Sequence, residues 1–578
     1  MIKNLYKLIF FSSLISVLLF QNTAAQNEEF FFRASGSPSN PKVQASWNRY
    51  YTYAGLVDLC TKLAAAYPGL VTMESAGKSY QGRDIVVLTI TDKKVSQPDK
   101  KPGYWIDGNI HSIELQGTEM ALYTAWYLCE MYNDNEFIKQ LLKDKTFYIA
   151  PTINPDAREY FTAVGVPPRS GLVPRDNDRD GLYDEDGYDD LNHDKNISQM
   201  RRKSPNGDYK TDPKDPRRMI HVEPGEKGEY ELLGYEGIDN DGDGLVNEDG
   251  PGGYDGNRDW GLNWQPNYIQ YGADKYPFSF PENQAVRDFT LKHRNITGAQ
   301  TFHNSAGMIL RGPSVQGGGA EVYSREDDEV INTIGKKGEL MLPGYKLVTV
   351  WKDMYPVWGG ELDWWHGEMG CFVYSNELWT PYLMFYDSTK TDDAAEYEFE
   401  KLLLFEDSFI PWQKYQHPVY GEIEIGGFSK NFGRLHPGFM LETDAHRNAA
   451  FCIYNAWQTP KLQVTDVKVR KLQGGLSEVT ATIENTRMIP THSSGNLQYR
   501  IDPPDYVFLE GGKVLAGMIV RDKDMNVNEE QKKNPSRMEI SNLSGYERVD
   551  LKWVVKGGSK FTIRVESIKG GTASAQSD

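Results

Sequence analysis

The sequence predicts an α/β fold, a central sheet covered by helices on both faces, followed by a C-terminal all-β sandwich. Three observations carry this. Between residues 53 and 150, short β-rich runs alternate with stretches whose apolar residues recur at helical spacing. Stretches at 398–412 and 442–457 read as later helices that close the same layer. Beyond Pro460 the apolar period becomes two, with Gly, Pro and Asn between runs, as in a sandwich.

Taken in order, residues 1–25 carry Lys3 and Lys7, an apolar run over 8–20, then Thr23-Ala24-Ala25. A charged start, a short apolar core and small residues make a secretory signal peptide, with cleavage expected near Ala25. The run falls short of the roughly 20 residues needed to span a bilayer. No later stretch qualifies, so a secreted protein, periplasmic or extracellular and without a membrane span, is expected. An N-terminal extension covers 26–46, and the main domain covers 47–459.

In that domain, Leu56, Leu59 and Leu63 mark a helix over 53–67 that stops at Pro68-Gly69. Strands are expected over 71–74, 85–91, 104–107 and 145–150, with a long helix over 115–132. Asn154-Pro155-Asp156 supplies turn chemistry after the last of these. The sandwich, 460–578, has its strands over 462–471, 478–484, 497–501 and 561–568, and is expected to be structural.

A net charge of −18 on 578 residues excludes nucleic acid and anionic membranes as partners, since both need a basic surface. The four cysteines (Cys60, Cys129, Cys371, Cys452) have no paired spacing, so thiolates hold no zinc; buried free thiols are expected. Much of the acid is bunched in two insertions, about 170–196 and 236–250, which contain a repeat. Asp176-Asn-Asp178-Arg-Asp180-Gly-Leu-Tyr-Asp184-Glu-Asp-Gly returns as Asp239-Asn-Asp241-Gly-Asp243-Gly-Leu-Val-Asn247-Glu-Asp-Gly. Acids at positions 1, 3 and 5 with Gly at 6 form the oxygen-lined loop that wraps Ca²⁺. Position 12 is Gly rather than the usual bidentate acid, and acids stand at 10 and 11 instead. Structural calcium is expected at Asp176, Asp178, Asp180, Asp184, Asp239, Asp241, Asp243 and Asn247.

The chemistry centres on Lys101-Pro-Gly-Tyr-Trp-Ile-Asp-Gly-Asn-Ile-His111-Ser-Ile-Glu114, a strand and turn opening a helical pattern. Three residues apart on a helical turn, His111 and Glu114 share a face. An imidazole and a carboxylate suit Zn²⁺, which needs at least one more protein ligand. With ten histidines in the chain, His-x-x-Glu alone says little. His303, where a β-like run ends in a polar turn, is the favoured third donor, with His366 as the other choice.

These residues resemble a known family, the zinc metallocarboxypeptidases related to carboxypeptidase A. The resemblance runs over roughly 47–460. It passes through Gly-Lys-Ser-Tyr-Gln-Gly-Arg83, His-x-x-Glu, Thr152-Ile-Asn-Pro-Asp156, Arg202-Lys203 and Tyr254-Asp-Gly-Asn257-Arg258-Asp-Trp260. It then takes in His303, Tyr355-Pro-Val-Trp-Gly-Gly-Glu-Leu-Asp363-Trp364 and Ser375-Asn-Glu377-Leu. It implies a mixed central sheet and one catalytic zinc on His111, Glu114 and His303. It also implies that Glu377 is the general base, that Arg202 steadies the oxyanion, and that Asn257 and Arg258 grip the substrate's terminal carboxylate. Tyr355 would cap that carboxylate, and Leu362 would read the last side chain, favouring apolar residues, although Glu361 is one position away. Asp259 departs from the family's usual Asn-Arg-Asn.

The implied function is release of the C-terminal residue from peptides or proteins by a secreted monomer. The short extension leaves no room for a large inhibitory pro-segment, so activity on secretion is expected. Two other readings remain: a γ-D-glutamyl–diaminopimelate peptidase acting on peptidoglycan stem peptides, and a catalytically silent, calcium-stabilised binding protein. The acidic repeats precede Arg202 and Asn257-Arg258, which suggests that calcium orders the substrate-holding segments.

Overall fold

The computed structural model describes residues 34–164, 169–317, 323–430 and 432–577. The expected signal peptide lies outside them. The chain divides into residues 1–44 and 45–578. In the first unit the Gln44 side chain donates to the Pro41 carbonyl; all that follows concerns the second.

Its centre is an eight-stranded mixed sheet. The strands are β1 (Val71–Lys78), β2 (Asp84–Ile90), β3 (Gly103–Asp107) and β4 (Thr146–Ala150), then, after a long insertion that holds β5 to β8, β9 (Ile296–Asn304), β10 (Met308–Arg311), β11 (Lys346–Thr349) and β12 (Phe372–Leu378). Their order is β1-β2-β4-β3-β9-β12-β10-β11, and β4, β3, β9 and β12 run parallel. The middle strands are buried on both faces, which is why β3 and β9 read as unbroken runs rather than alternating ones. Alternate residues of β3 meet opposite layers. The Tyr104 hydroxyl accepts from Asn455 on helix Gly438–Gln458, and Trp105 packs on Phe289 of helix Pro281–Lys292. Helix Gln116–Glu130 is buried throughout.

The close approach of that helix to the sheet depends on two glycines. A Cβ on Gly117 would fall 2.9 Å from Phe302 Cβ and 3.1 Å from Gly108 Cα, and one on Gly108 would fall 2.6 Å from the Gly117 carbonyl carbon. This contact sets the turn over 108–115 against the end of β9.

Several elements differ from expectation. The helix starts at Gln116, so His111 and Glu114 stand in the preceding turn, closed by Glu114 N–H to the His111 carbonyl. Pro155 is not a mere turn residue but opens a helix, Pro155–Val164, because its fixed φ suits a first helical turn. The stretch expected as a helix over 398–412 ends at Leu403 and becomes a strand, β13 (Phe409–His417), paired with β14 (Gly421–Phe428). These join β5 (Gln199–Lys203), β8 (Tyr230–Tyr235), β6 (Tyr209–Thr211) and β7 (Met219–His221) in a second sheet that the sequence reading did not foresee.

The C-terminal module is a sandwich with one apolar core. One sheet holds β15 (Leu462–Lys471), β16 (Leu476–Asn485), β21 (Arg548–Lys556), β18 (Lys513–Asp522) and β19 (Val527–Glu530). The other holds β20 (Arg537–Ile540), β17 (Asp505–Glu510), β22 (Thr562–Ser567) and β23 (Gly571–Gln576). Residues 497–501 are not a strand: the helix Ser494–Tyr499, capped by Ser493, takes their place. The buried Lys569 ammonium donates to the carbonyls of Ile296 and Met369, and Arg294 pairs with Asp502. The module therefore seats on the end of the sheet where β9 and β12 begin. All four cysteines are buried and unpaired. Among the described residues no helix is long and apolar enough to cross a membrane.

Replacing Gly117 by Ala should cost about 1–3 kcal/mol through overpacking against Phe302 and Gly108. A melting temperature equal to that of the parent would show that the two backbones can part without loss.

Candidate active site

Parallel strands end where the site begins. His303 is the penultimate residue of β9, and Glu377 lies directly beside it on β12 as its register partner. His111 and Glu114 follow β3, the strand on the other side of β9. The structure brings the imidazoles and the carboxylate together. His111 Nδ1 lies 3.0 Å from Glu114 Oε1, His303 Nδ1 lies 2.9 Å from Glu114 Oε2, and the two Nδ1 atoms are 3.2 Å apart. All three side chains are buried, and they form the one mixed His/Glu cluster with metal-ligand spacing among the described residues. His366 is elsewhere, its ring stacked on Tyr323 and its Nδ1 bonded to the Cys371 carbonyl.

The outer nitrogens are held as firmly. His111 Nε2 is 2.8 Å from Asp255 Oδ1, and His303 Nε2 is 2.7 Å from Glu361 Oε1. A carboxylate on the far nitrogen fixes the tautomer and leaves Nδ1 as a lone-pair donor, the usual outer support of a histidine metal ligand. Burial alone would raise Asp255, but His111 and Arg258 beside it outweigh that and hold it well below the ordinary carboxylate range. Two imidazoles and a carboxylate converging on one point fit zinc, which takes N and O donors and keeps a further position open in catalytic sites.

The turn itself is braced from below. Asn109, at φ 60°, donates to the carbonyls of His111 and Ser112, and its own oxygen accepts from Arg158 and Thr152. Arg158 is wholly buried and pairs with Glu119. Asn154 donates to the carbonyls of Ile110 and Ser170, tying the metal turn to the segment that carries Arg169. Asp156 takes hydrogen bonds from Ser79, Gln81 and Arg83, which anchors the β1–β2 turn. The Thr152-to-Asp156 motif is thus a bracket for the site rather than part of its chemistry.

The cleft beside the cluster is lined by His111, His303, Glu377, Asn257 and Arg258, with Tyr355 at its rim, about half exposed. Its inner wall is apolar: Leu310, Val350, Met354, Val357 and Leu362. The Asn257 amide nitrogen lies 3.2 Å from His303 Nε2, and its oxygen accepts from the Glu361 N–H. The buried Arg258 donates to the Asn257 carbonyl. Glu377 Oε2 is buried and has no hydrogen-bond donor. Burial and the Glu114 charge push that carboxyl up to about 7, where proton exchange is easy near neutral pH.

One expected residue is not here. Arg202 stands on β5 in the second sheet, partly exposed and paired with Glu231, and does not line the cleft. Besides Arg258, the cleft is lined by the guanidinium of Arg169, 3.2 Å from Asp255 Oδ2 and 3.7 Å from Glu114 Oε1. Sequence reasoning missed it because the Arg202-Lys203 motif resembles the family's oxyanion arginine and drew the assignment there. No local pattern marks Arg169; its contacts with Asp255 and Glu114 exist only in the fold. Asp255 was also passed over, and Glu361 was named only beside the specificity position, not as a partner of His303. Asp259 binds no ligand group; it accepts from Ser279, Phe280 and Asn283 and organises that loop.

A mixed sheet that presents a buried His–Glu–His cluster beside an unpartnered glutamate defines a zinc-binding hydrolase type of site. The family model described as Zinc carboxypeptidase matches residues 56–400, and the chain belongs to that family. Residues 461–577 match a domain of unknown function. The human carboxypeptidase N catalytic chain is 32% identical over 145 residues, 25% of this chain and 31% of that protein. Carboxypeptidase E of Caenorhabditis elegans is 33% identical over 148 residues, 25% of this chain and 31% of that one. The inactive metallocarboxypeptidase ECM14 of Ajellomyces capsulatus is 29% identical over 137 residues, 24% of this chain and 23% of its own. The chain spans about a third or less of the curated relatives it matches. Among solved structures, thrombin activatable fibrinolysis inhibitor is 16% identical with a TM-score of 0.41, over 75% of this chain and 86% of that one. Carboxypeptidase A from Helicoverpa armigera has the same identity and score over 72% and 76%.

Exchanging Glu361 for Gln should weaken zinc binding about 10–100-fold, because the amide no longer fixes and enriches the His303 ring. Competition with a chelator measures it; zinc affinity equal to the parent's would show that Glu361 does not support the ligand.

Proposed function

We propose that the protein is a secreted zinc carboxypeptidase that removes the C-terminal residue of peptides or proteins. The observation that carries this reading is the unpartnered Glu377 oxygen beside a His111–Glu114–His303 cluster, in a cleft that also holds Arg258 and Asn257. Zinc held by those three residues supplies an acidified water and a polarised carbonyl. Glu377 takes the attacking water's proton and passes it to the leaving amine. Arg169 in place of Arg202 steadies the developing oxyanion, since a fixed cation favours the transition state over the planar amide.

Arg258 offers a bidentate fork to the substrate's terminal carboxylate, with the Asn257 amide beside it. Tyr355, exposed at the rim, closes over that carboxylate. The apolar wall ending in Leu362 takes an apolar or aromatic last side chain. Glu361 does not read that side chain, because His303 already engages it. Export rests on the sequence of residues 1–25.

The acidic repeats are calcium loops in this reading, and they order the segments bearing Arg169 and Asp255. Calcium added to zinc-replete, calcium-stripped protein should lower KM and raise the melting temperature; no change in either would remove calcium from the account.

The test of the activity uses peptides with free and amidated C-termini. Only the free ones should be cut. Glu377→Gln should lower kcat about 10²–10⁴-fold with zinc content unchanged. Arg169→Ala should lower it about 10²–10³-fold, while Arg202→Ala stays within about twofold. Cleavage of cell-wall stem peptides alone would point to the peptidoglycan reading, and no cleavage of either to a silent binder.

A further inference from the structure

The two acidic repeats are 63 residues apart in sequence yet form one unit. Asp186 and Asp249, position 11 of each repeat, make a reciprocal backbone pair, each N–H to the other's carbonyl at 3.2 Å. The backbones of the repeats match. Positive φ recurs at position 4 (Arg179, Gly242), position 6 (Gly181, Gly244) and position 9 (Asp184, Asn247). In each repeat the acids at positions 3 and 5 fold back on N–H groups two residues on.

The acids group across the repeats. Asp176 and Asp178 of the first have ligand-grade spacing with Asp249 of the second. Asp178 and Asp180 share a cluster with Glu185. In mirror fashion, Asp241 and Glu248 of the second repeat group with Asp186 of the first, and Asp239, Asp241 and Asp243 group together.

A second observation separates this from a solvated acidic surface. Asp186 and Asp249 are wholly buried, and Asp249 Oδ2 has no donor. Both oxygens of Glu185 and of Glu248, the equivalent position 10 acids, are likewise buried without a donor. Among the described residues no Lys or Arg forms an ion pair with any acid of either repeat; the nearby Arg175 pairs with Asp274 instead. Donorless carboxylates that crowd one another underground need a cation, and oxygen-only donors select a hard one such as Ca²⁺.

We infer that the repeats form a reciprocal pair of calcium sites, each loop supplying positions 1, 3, 5 and 10 for its own ion and position 11 for its neighbour's. This rests on the calcium reading above and adds the exchange of ligands. Neither site is complete without the other loop. The pair therefore clamps the chain after Arg169 to the chain before Asp255, and Asp255 is the carboxylate that holds His111 and Arg169 together.

Calorimetry of calcium binding to the full-length zinc protein decides it. Asp243→Asn disables the second loop and leaves the first ion; Asp180→Asn does the reverse. In the Asp243→Asn background, adding Asp249→Asn should weaken the remaining ion at least tenfold, whereas adding Asp186→Asn should leave it within about twofold. In the Asp180→Asn background the two effects should trade places. If each position 11 change harms only the ion of its own loop, the exchange is wrong and the calcium reading stands. If the parent protein binds no calcium, both fall. Anomalous scattering from a terbium-soaked crystal of the parent gives the same decision without variants: each peak must touch carboxylates of both repeats, and peaks confined to one repeat overturn the exchange.

Discussion

Two buried imidazoles, each held at Nε2 by a carboxylate, are the constraint on which the rest of this structure depends. Asp255 holds His111 and Glu361 holds His303, so both rings turn Nδ1 toward Glu114. Burying three carboxylates with two imidazoles is costly, several kcal/mol per ion even after relaxation. Arg169 and Arg258 offset part of this at Asp255. The remaining deficit is negative charge at a point between nitrogen donors, which is the condition for retaining a dication. Burial first, and then the Glu114 charge, raises the neighbouring Glu377 carboxyl, which the two imidazoles partly oppose.

That arrangement needs backbone elements closer together than side chains ordinarily allow. Gly108 and Gly117 let the helix that follows the metal turn rest on the end of β9. Asn109, Arg158 and Asn154 then satisfy the carbonyls that the irregular turn exposes inside the protein. A buried turn without such donors would be untenable. The Asn-Pro-Asp segment is therefore best understood as support for the turn, and its Arg158 as the charge that lets Glu119 be buried beneath it.

What was legible in the sequence follows from the range of the interactions concerned. Alternating strands and helices, the period-two module, and the donors His111, Glu114 and His303 all rest on local pattern or on a recognised motif order. The second sheet was not legible, because its strands come from two stretches far apart in the chain, 199–235 and 409–428, whose pairing no local period records. Residues 409–417 carry apolar groups at mixed spacing, and only pairing with β14 makes them a strand. Arg202 came from the motif resemblance, whereas distance to Asp255 and Glu114, which only the fold supplies, picks out Arg169. The acidic repeats were visible as copies, but their crossing over Asp186 and Asp249 was not, since each copy looks self-sufficient in one dimension.

The placement of the C-terminal module shows how far the demands of the site extend. Lys569 and Asp502 grip the sheet where its parallel strands begin, and His303 and Glu377 lie where they end. The module thus adds a buried ammonium to the carbonyls of Ile296 and Met369, and it leaves the cleft to be shaped by loops from the opposite edge. In open α/β sheets, ligand groups gather beyond the carboxyl ends of the strands. A domain that seats at the other end stabilises the register without competing for that space. The acidic insertions occupy the functional edge instead, between Arg169 and Asp255. The chain flanking them carries Arg169 and Asp255, which contact Glu114 and His111, whereas the module's contacts through Lys569 and Asp502 lie at the other end of the sheet.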